Sequence, residues 1–177
     1  NRAEAMCIQE RLYREGKLKK RTNHCDTKVN NMMFDAKTDK VLCVIDLDTV
    51  MPGLVGHDFG DAIRFAANFV EEDCPQPEKA GVDLEVFEAF TDGFLKNTAA
   101  ALTRTEIDTL AQSCLALTAE LSVRFLDDYI QGDPYFKINY PEHNLVRSRC
   151  QIALAKDMER RMDAMDAIVH DCAAKYL

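Results

Sequence analysis

The chain has no tryptophan, seven glycines and five prolines among 177 residues, and each shortage removes a class of function. With no tryptophan and only five tyrosines, an aromatic cage for a quaternary ammonium has little to be built from. The glycines stand apart, at positions 16, 53, 56, 60, 81, 93 and 132, so no glycine-rich phosphate-covering loop is present. No apolar run reaches the ~18–20 residues that span a bilayer, and no signal peptide precedes the first helical pattern. A membrane is therefore not an expected partner.

Positive charge is short as well. Lys and Arg number 22 against 30 Asp and Glu, a net charge of −8. The single basic run, Lys17, Lys19, Lys20 and Arg21, reads as a solvated helix end, and no nucleic-acid partner is expected. Seven cysteines show no C-x-x-C pair and no zinc-ligand spacing, and their odd number leaves at least one unpaired. Small buried thiols in a reducing, cytoplasmic setting fit that pattern.

What is present has the organisation of one domain, 1–177, with strands near the front and helices behind. Residues 3–15 carry Ala5, Ile8 and Leu12 on one helical face. Residues 28–35 and 40–48 read as two short strands joined by the polar turn Ala36-Lys37-Thr38-Asp39, a β-hairpin. Met51-Pro52-Gly53 breaks the second strand, and a helix is expected to start near Asp58 as N-cap and run to about Val70. Leu84, Phe87, Phe90 and Phe94 predict another helix. The box Thr103-Arg104-Thr105-Glu106 opens a long one that Gly132-Asp133-Pro134 ends, and Met158, Met162, Met165, Val169 and Cys172 mark the last.

The segment that carries chemistry is His24-Cys25-Asp26-Thr27-Lys28-Val29-Asn30-Asn31, followed by an apolar run from Val41 that ends in Asp46 and Asp48. Phosphoryl transfer needs a carboxylate to accept the proton of an attacking hydroxyl, and an amide with a second carboxylate to hold magnesium on the phosphates. The step from Asp26 to Asn31 equals that between base and metal ligand in the kinase catalytic loop. Asp26 is thus the candidate base, Lys28 a cation for the transferring phosphate, and Asn31 and Asp46 the magnesium pair. His24 anchors the loop in this reading, and Asp48 is an accessory near the metal. Two look-alikes are set aside. Asp58-Phe59-Gly60 spells D-F-G but falls well past the end of the next strand, and reads as a helix cap. Asp46-Leu47-Asp48-Thr49-Val50 approaches the start of dehalogenase-type phosphatases, but Val50 stands where they need threonine.

These residues give the whole chain a resemblance to the C-terminal lobe of the aminoglycoside phosphotransferase and choline kinase superfamily. Within it, the chain is most similar to bacterial N-acetylhexosamine 1-kinases. The matching strings are His24 to Asn31, Val44 to Gly53, Asp58 to Arg64, Val123 to Tyr129, and Tyr135-Phe136-Lys137. The resemblance implies a mostly helical α+β fold, the C-terminal lobe of a protein-kinase-like phosphotransferase, with a small β-hairpin carrying the metal Asp. It implies ATP and Mg2+ as cofactors, Asp26 taking the proton of an anomeric sugar hydroxyl, and Arg124 and Tyr135 lining the sugar pocket. Arg64 and Arg149 are further candidates for the same pocket.

Other readings stay open. Arg124 also fits a helix-surface salt bridge and Tyr135 fits packing after Pro134. A choline, aminoglycoside or homoserine kinase shares the chemistry, and a non-catalytic, degenerate kinase-lobe module belongs to another class. An active kinase of this fold needs an N-terminal ATP-binding lobe, which the sequence given does not contain. The chain is expected to be a fragment with little activity alone, its partners being that missing lobe, ATP and a small sugar.

Overall fold

The computed structural model describes residues 3–177 as helices around one core, with two small antiparallel sheets at one side. Helices α1 (Ala3–Met6) and α2 (Ile8–Arg14) lead to strand β1 (Arg21–Asn23). Strands β2 (Met32–Phe34) and β3 (Val41–Val44) form the hairpin, and β4 (Met51–Gly53) returns to pair with β1. Helices α3 (Val55–Ala66), α4 (Leu84–Thr98), α5 (Arg104–Asp108), α6 (Leu110–Ile130) and α7 (His143–Ala173) follow. Mostly helical α+β is thus the observed class, and no helix among the described residues is long and apolar enough to cross a membrane.

The apolar periodicities seen in the sequence become the core. Helix α6 packs on α7 and α3, and α4 packs on α7. Between them lie Phe59, Ile63, Phe87, Leu95, Leu110, Cys114, Leu154, Met158 and Met165, all buried. Phe59 sits at the centre, its ring edge-on to Phe87, Phe90 and Phe94 at 6.1, 5.7 and 5.1 Å. Gly60 follows for a steric reason: a Cβ there would lie 2.6 Å from the backbone oxygen of Ser113. Its absence lets α3 and α6 cross at close range, a packing role for the glycine of the D-F-G string.

Several expectations are corrected. Helix α3 begins at Val55, before Asp58, and its N-cap Leu54 offers no side-chain bond. The carboxylate of Asp58 serves a neighbouring loop instead of its own helix end. The strands expected over 28–35 and 40–48 shrink to three and four residues. Short 3-10 turns take up 29–31 and 47–49, and Asp46 at φ 64° turns the chain out of the extended state. Met51-Pro52-Gly53 does not merely end a strand but pairs with Arg21–Asn23. The hairpin's apolar side chains are exposed, Val41 by 57% and Leu42 by 62%. All seven cysteines are free, yet only Cys114, Cys150 and Cys172 are buried.

The capping box is present as expected: Thr103 accepts from the Glu106 amide, and Glu106 accepts from the Thr103 amide at 2.7 Å. The helix it opens stops at Asp108, however. The Thr109 hydroxyl donates back to the carbonyls of Thr105 and Glu106, local bonding that competes with the helical ladder. Glu106 also ties the first sheet to the helices, since its two oxygens accept from Arg21 Nε at 2.6 Å and Nη2 at 2.8 Å. Burial alone would raise the Glu106 carboxyl, but the Arg21 guanidinium and the Thr103 hydrogen bonds outweigh it and hold it down at about 2.

A folded value below the unfolded 4.5 means that this bridge contributes its full stability above pH ~4.5 and loses it as pH falls toward 2. Glu106→Gln should therefore cost on the order of 3 kcal/mol at pH 7, and the difference from wild type should roughly halve by pH 3. Urea midpoints measured across that range check this. A difference that does not change with pH would remove the ion pair from the account.

Candidate active site

Pairing of β1 with β4 puts Asn23 opposite Met51, so the segment between them leaves and re-enters the molecule at one place. The loop that follows β1 passes through Cys25 at φ 67°, a left-handed conformation that disfavours a side chain. What holds it there comes from α3. Asp58 accepts the His24 amide on Oδ2 at 2.7 Å and the Cys25 amide on Oδ1 at 2.8 Å. One turn on, Asp61 Oδ2 accepts the Thr27 amide at 2.7 Å, and the Thr27 hydroxyl donates to the Asp58 carbonyl at 2.6 Å. Thr49 Oγ1 donates to the His24 carbonyl at 2.7 Å, and His24 Nε2 lies 2.9 Å from the Ile45 carbonyl. Amide bonds to carboxylates are among the stronger hydrogen bonds, and here three of them converge on one short loop.

That scaffold presents Asp26. Its Oδ2 accepts from Lys28 Nζ at 2.8 Å and from Asn31 Nδ2 at 2.9 Å, and Asn31 Nδ2 also donates to the Asp26 carbonyl at 2.8 Å. Oδ1 makes no hydrogen bond among the described residues, so one carboxylate oxygen remains to take a proton. The neighbouring Cys25 thiol is pushed up by desolvation of the sulfur and by the Asp58 charge, which keeps it protonated and unsuited to act as nucleophile.

Asn31 and Asp46 stand at the open end of the hairpin. Met32 pairs with Val44, and the Ile45 amide donates to the Asn31 carbonyl at 2.9 Å, which leaves Asp46 one residue beyond. The Asn31 amide nitrogen is engaged with Asp26, leaving its oxygen for a cation, and the exposed Asp46 carboxylate has no partner among the described residues. Two uncommitted hard oxygen donors fit magnesium, which keeps waters and phosphate oxygens as its other ligands. Among the described residues no group of three or more His, Cys, Asp or Glu is arranged to hold a metal ion.

A groove of about 810 Å³ opens beside the loop and is lined by Asp26, Lys28, Arg64, Arg124 and Tyr135 among others. Arg124 lies over the rings of Tyr135 and Phe136, at 5.8 and 5.4 Å to their centroids, and its Nε is 3.7 Å from Glu120. Buried Asp128 fixes that wall by accepting the amides of Tyr135 and Phe136, each at 2.9 Å. Arg64 is buried and bonds Asp61 at 2.7 Å and Glu72 at 2.6 Å, so it backs the loop's support more than it reaches outward. His24, Asn31, Asp46, Asp48 and Arg149 do not line the groove, and Asp48 and Arg149 are exposed.

Sequence reasoning missed Asp58 and Asp61 as holders of the loop, and Phe136 and Arg147 in the groove. For the carboxylates a signal exists, since residues three apart on a helix share one face. For Arg147 none does, because its place depends on how α7 packs.

The model of the phosphotransferase enzyme family, APH, matches residues 2–96, more than half of the chain. The chain belongs to this family. Membership makes it a small-molecule phosphotransferase of the kinase type, and the matched stretch runs through the loop, the hairpin and α3 into α4.

Asp58→Asn keeps the size but removes the charge and one of the two acceptors. Amide exchange at His24 and Cys25 should quicken about 10-fold or more, while the core amides of α6 and α7 change little. Hydrogen exchange read residue by residue tests this. Unchanged protection at both amides would show that α3 does not hold the loop.

Proposed function

We propose that this phosphotransferase uses ATP and Mg2+ to phosphorylate the anomeric hydroxyl of an N-acetylhexosamine, yielding a sugar 1-phosphate. The observation that carries the reading is a carboxylate with one free oxygen, Asp26, at the wall of a groove that Arg124 and Tyr135 also line. In this scheme Asp26 Oδ1 takes the proton as the sugar oxygen attacks the terminal phosphate. Lys28 balances charge at Asp26 Oδ2 and in the transition state. Asn31 and Asp46 would hold Mg2+, which neutralises phosphate charge and orients the chain of phosphates. Arg124 donates to ring hydroxyls or an acetamide oxygen, and Tyr135 offers an aromatic face with a hydroxyl at its edge.

The nucleotide needs a second wall. The exposed apolar side chains Val41, Leu42 and Val44 of the hairpin, with Leu47 in the turn after it, supply a surface that an ATP-binding lobe would cover, so activity is assigned to the full gene product. Catalysis would rest on positioning and charge neutralisation, since a loose phosphoryl transition state asks little covalent chemistry of the protein.

In that gene product Asp26→Asn should lower kcat by ~10²–10⁴ and leave KM nearly unchanged. Coupled ADP release with N-acetylglucosamine, N-acetylgalactosamine, choline and homoserine as acceptors gives the readout. An unaltered kcat removes Asp26 from the base role, and turnover of choline alone overturns the sugar assignment.

A further inference from the structure

An ammonium-bearing ligand is held in proteins by free carboxylates or by open aromatic faces. The groove offers little of either. Each carboxylate that lines it already faces a cation: Glu10 faces Arg14 at 2.9 Å, Asp26 faces Lys28 at 2.8 Å, Asp61 and Glu72 face Arg64, and Glu120 faces Arg124 at 3.7 Å. Three of the four Phe and Tyr rings that line it, all but Phe65, also lie beside a cation. Arg124 lies over one side of Tyr135 and Phe136, while the Arg147 guanidinium lies 5.5 Å from the Phe125 centroid. Phe125 and Phe136 are themselves packed at 4.7 Å, so the five groups form one bank along the groove.

On that bank the surplus is cationic, with hydrogen-bonding capacity to spare. Lys137 lines the groove and its ammonium has no partner among the described residues. Arg147 Nη1 donates to the Lys137 carbonyl at 3.1 Å and to Asn144 Oδ1 at 2.9 Å, which ties the Arg147 guanidinium to the backbone at Lys137. The buried Arg147 Nε makes no hydrogen bond, with Glu72 4.0 Å away. Arg124 makes no hydrogen bond to protein at all among the described residues, only its 3.7 Å ion pair.

We propose that Lys137 and Arg147, together with Arg124, determine specificity by rejecting acceptors that carry a positive charge and receiving neutral acceptors rich in oxygen. The proposal rests on the groove being the acceptor site of the phosphotransferase. Their donors point to carbonyl and hydroxyl oxygens as the groups recognised, and their charge opposes an amine in the same place. A unit charge about 6 Å from one cation in water-like surroundings loses about 3-fold in affinity, and Lys137 sets that scale, since Glu120 and Glu72 offset much of the charge of Arg124 and Arg147.

Matched acceptor pairs that differ in charge test this with the full gene product: glucosamine against N-acetylglucosamine and glucose, and choline against 3,3-dimethylbutan-1-ol. Dissociation constants by titration calorimetry and kcat/KM by ADP release are both read. The charged member should be poorer by about 3-fold or more at low salt, and the gap should narrow at 1 M salt. Lys137→Glu, at an exposed position, should shift the ratio about 10-fold toward the charged member, and Arg124→Gln should move it in the same direction.

Equal constants within each pair, a gap unmoved by Lys137→Glu, or no binding by any member would overturn the proposal. The sugar reading fails separately. If the neutral alcohol outperforms choline while no sugar is bound or turned over, the charge rule stands and the sugar assignment falls. If N-acetylglucosamine and glucosamine are phosphorylated equally well, the reverse holds.

Discussion

Two carboxylates one helical turn apart, Asp58 and Asp61 on α3, carry the backbone of the loop that presents Asp26. The loop needs them because Cys25 sits in a left-handed conformation, a strain that persists only where surrounding bonds over-determine it. Three amide-to-carboxylate bonds and two threonine hydroxyls do so. Asp61 is in turn held by Arg64, which also grips Glu72, so a chain of charge-assisted contacts runs from the loop into the helical body. The Asp26 carboxylate takes its position from this frame together with its own bonds to Lys28 and Asn31.

The frame has a rigid base because α3 cannot drift. Gly60 and Gly56 bring it against α6 at distances that no Cβ would permit, and Phe59 between them locks into the Phe87, Phe90 and Phe94 cluster. One helix therefore buries its apolar face in the core and turns its acidic face to the loop. The groove's other wall has an equivalent device. Buried Asp128 at the end of α6 collects the amides of Tyr135 and Phe136 and the side-chain amide of Asn144, and so fixes the aromatic bank that Arg124 and Arg147 cover.

Much of this was legible where cause and effect are close in sequence. The capping box at Thr103 and Glu106, the hairpin turn after Phe34 and the stripe of α4 depend on neighbours a few residues away, and each is where the pattern puts it. Pairing of Arg21–Asn23 with Met51–Gly53 joins two three-residue strands across a long loop, and three residues carry too little pattern to reveal it. Asp58 misled because a carboxylate near a helix start satisfies the cap pattern as well as it satisfies a loop beside it. The resemblance puts Arg124 and Tyr135 in one pocket, and the fold adds that the guanidinium lies over the Tyr135 ring. The apolar run at Val41 to Val44 predicts a strand but not its exposure, since periodicity does not say what covers a face.

The proposed mechanism requires this frame to bring Asp26 as base, with Asn31 and Asp46 as metal ligands, to one phosphate-transfer site. Anomalous diffraction from crystals of the full gene product grown with Mn2+ and a non-hydrolysable ATP analogue tests it most directly. The ion should be bound by the Asn31 amide oxygen and the Asp46 carboxylate, with Asp26 Oδ1 left free of it. An ion held by other residues, or coordinated directly by Asp26 in place of Asp46, would contradict the account.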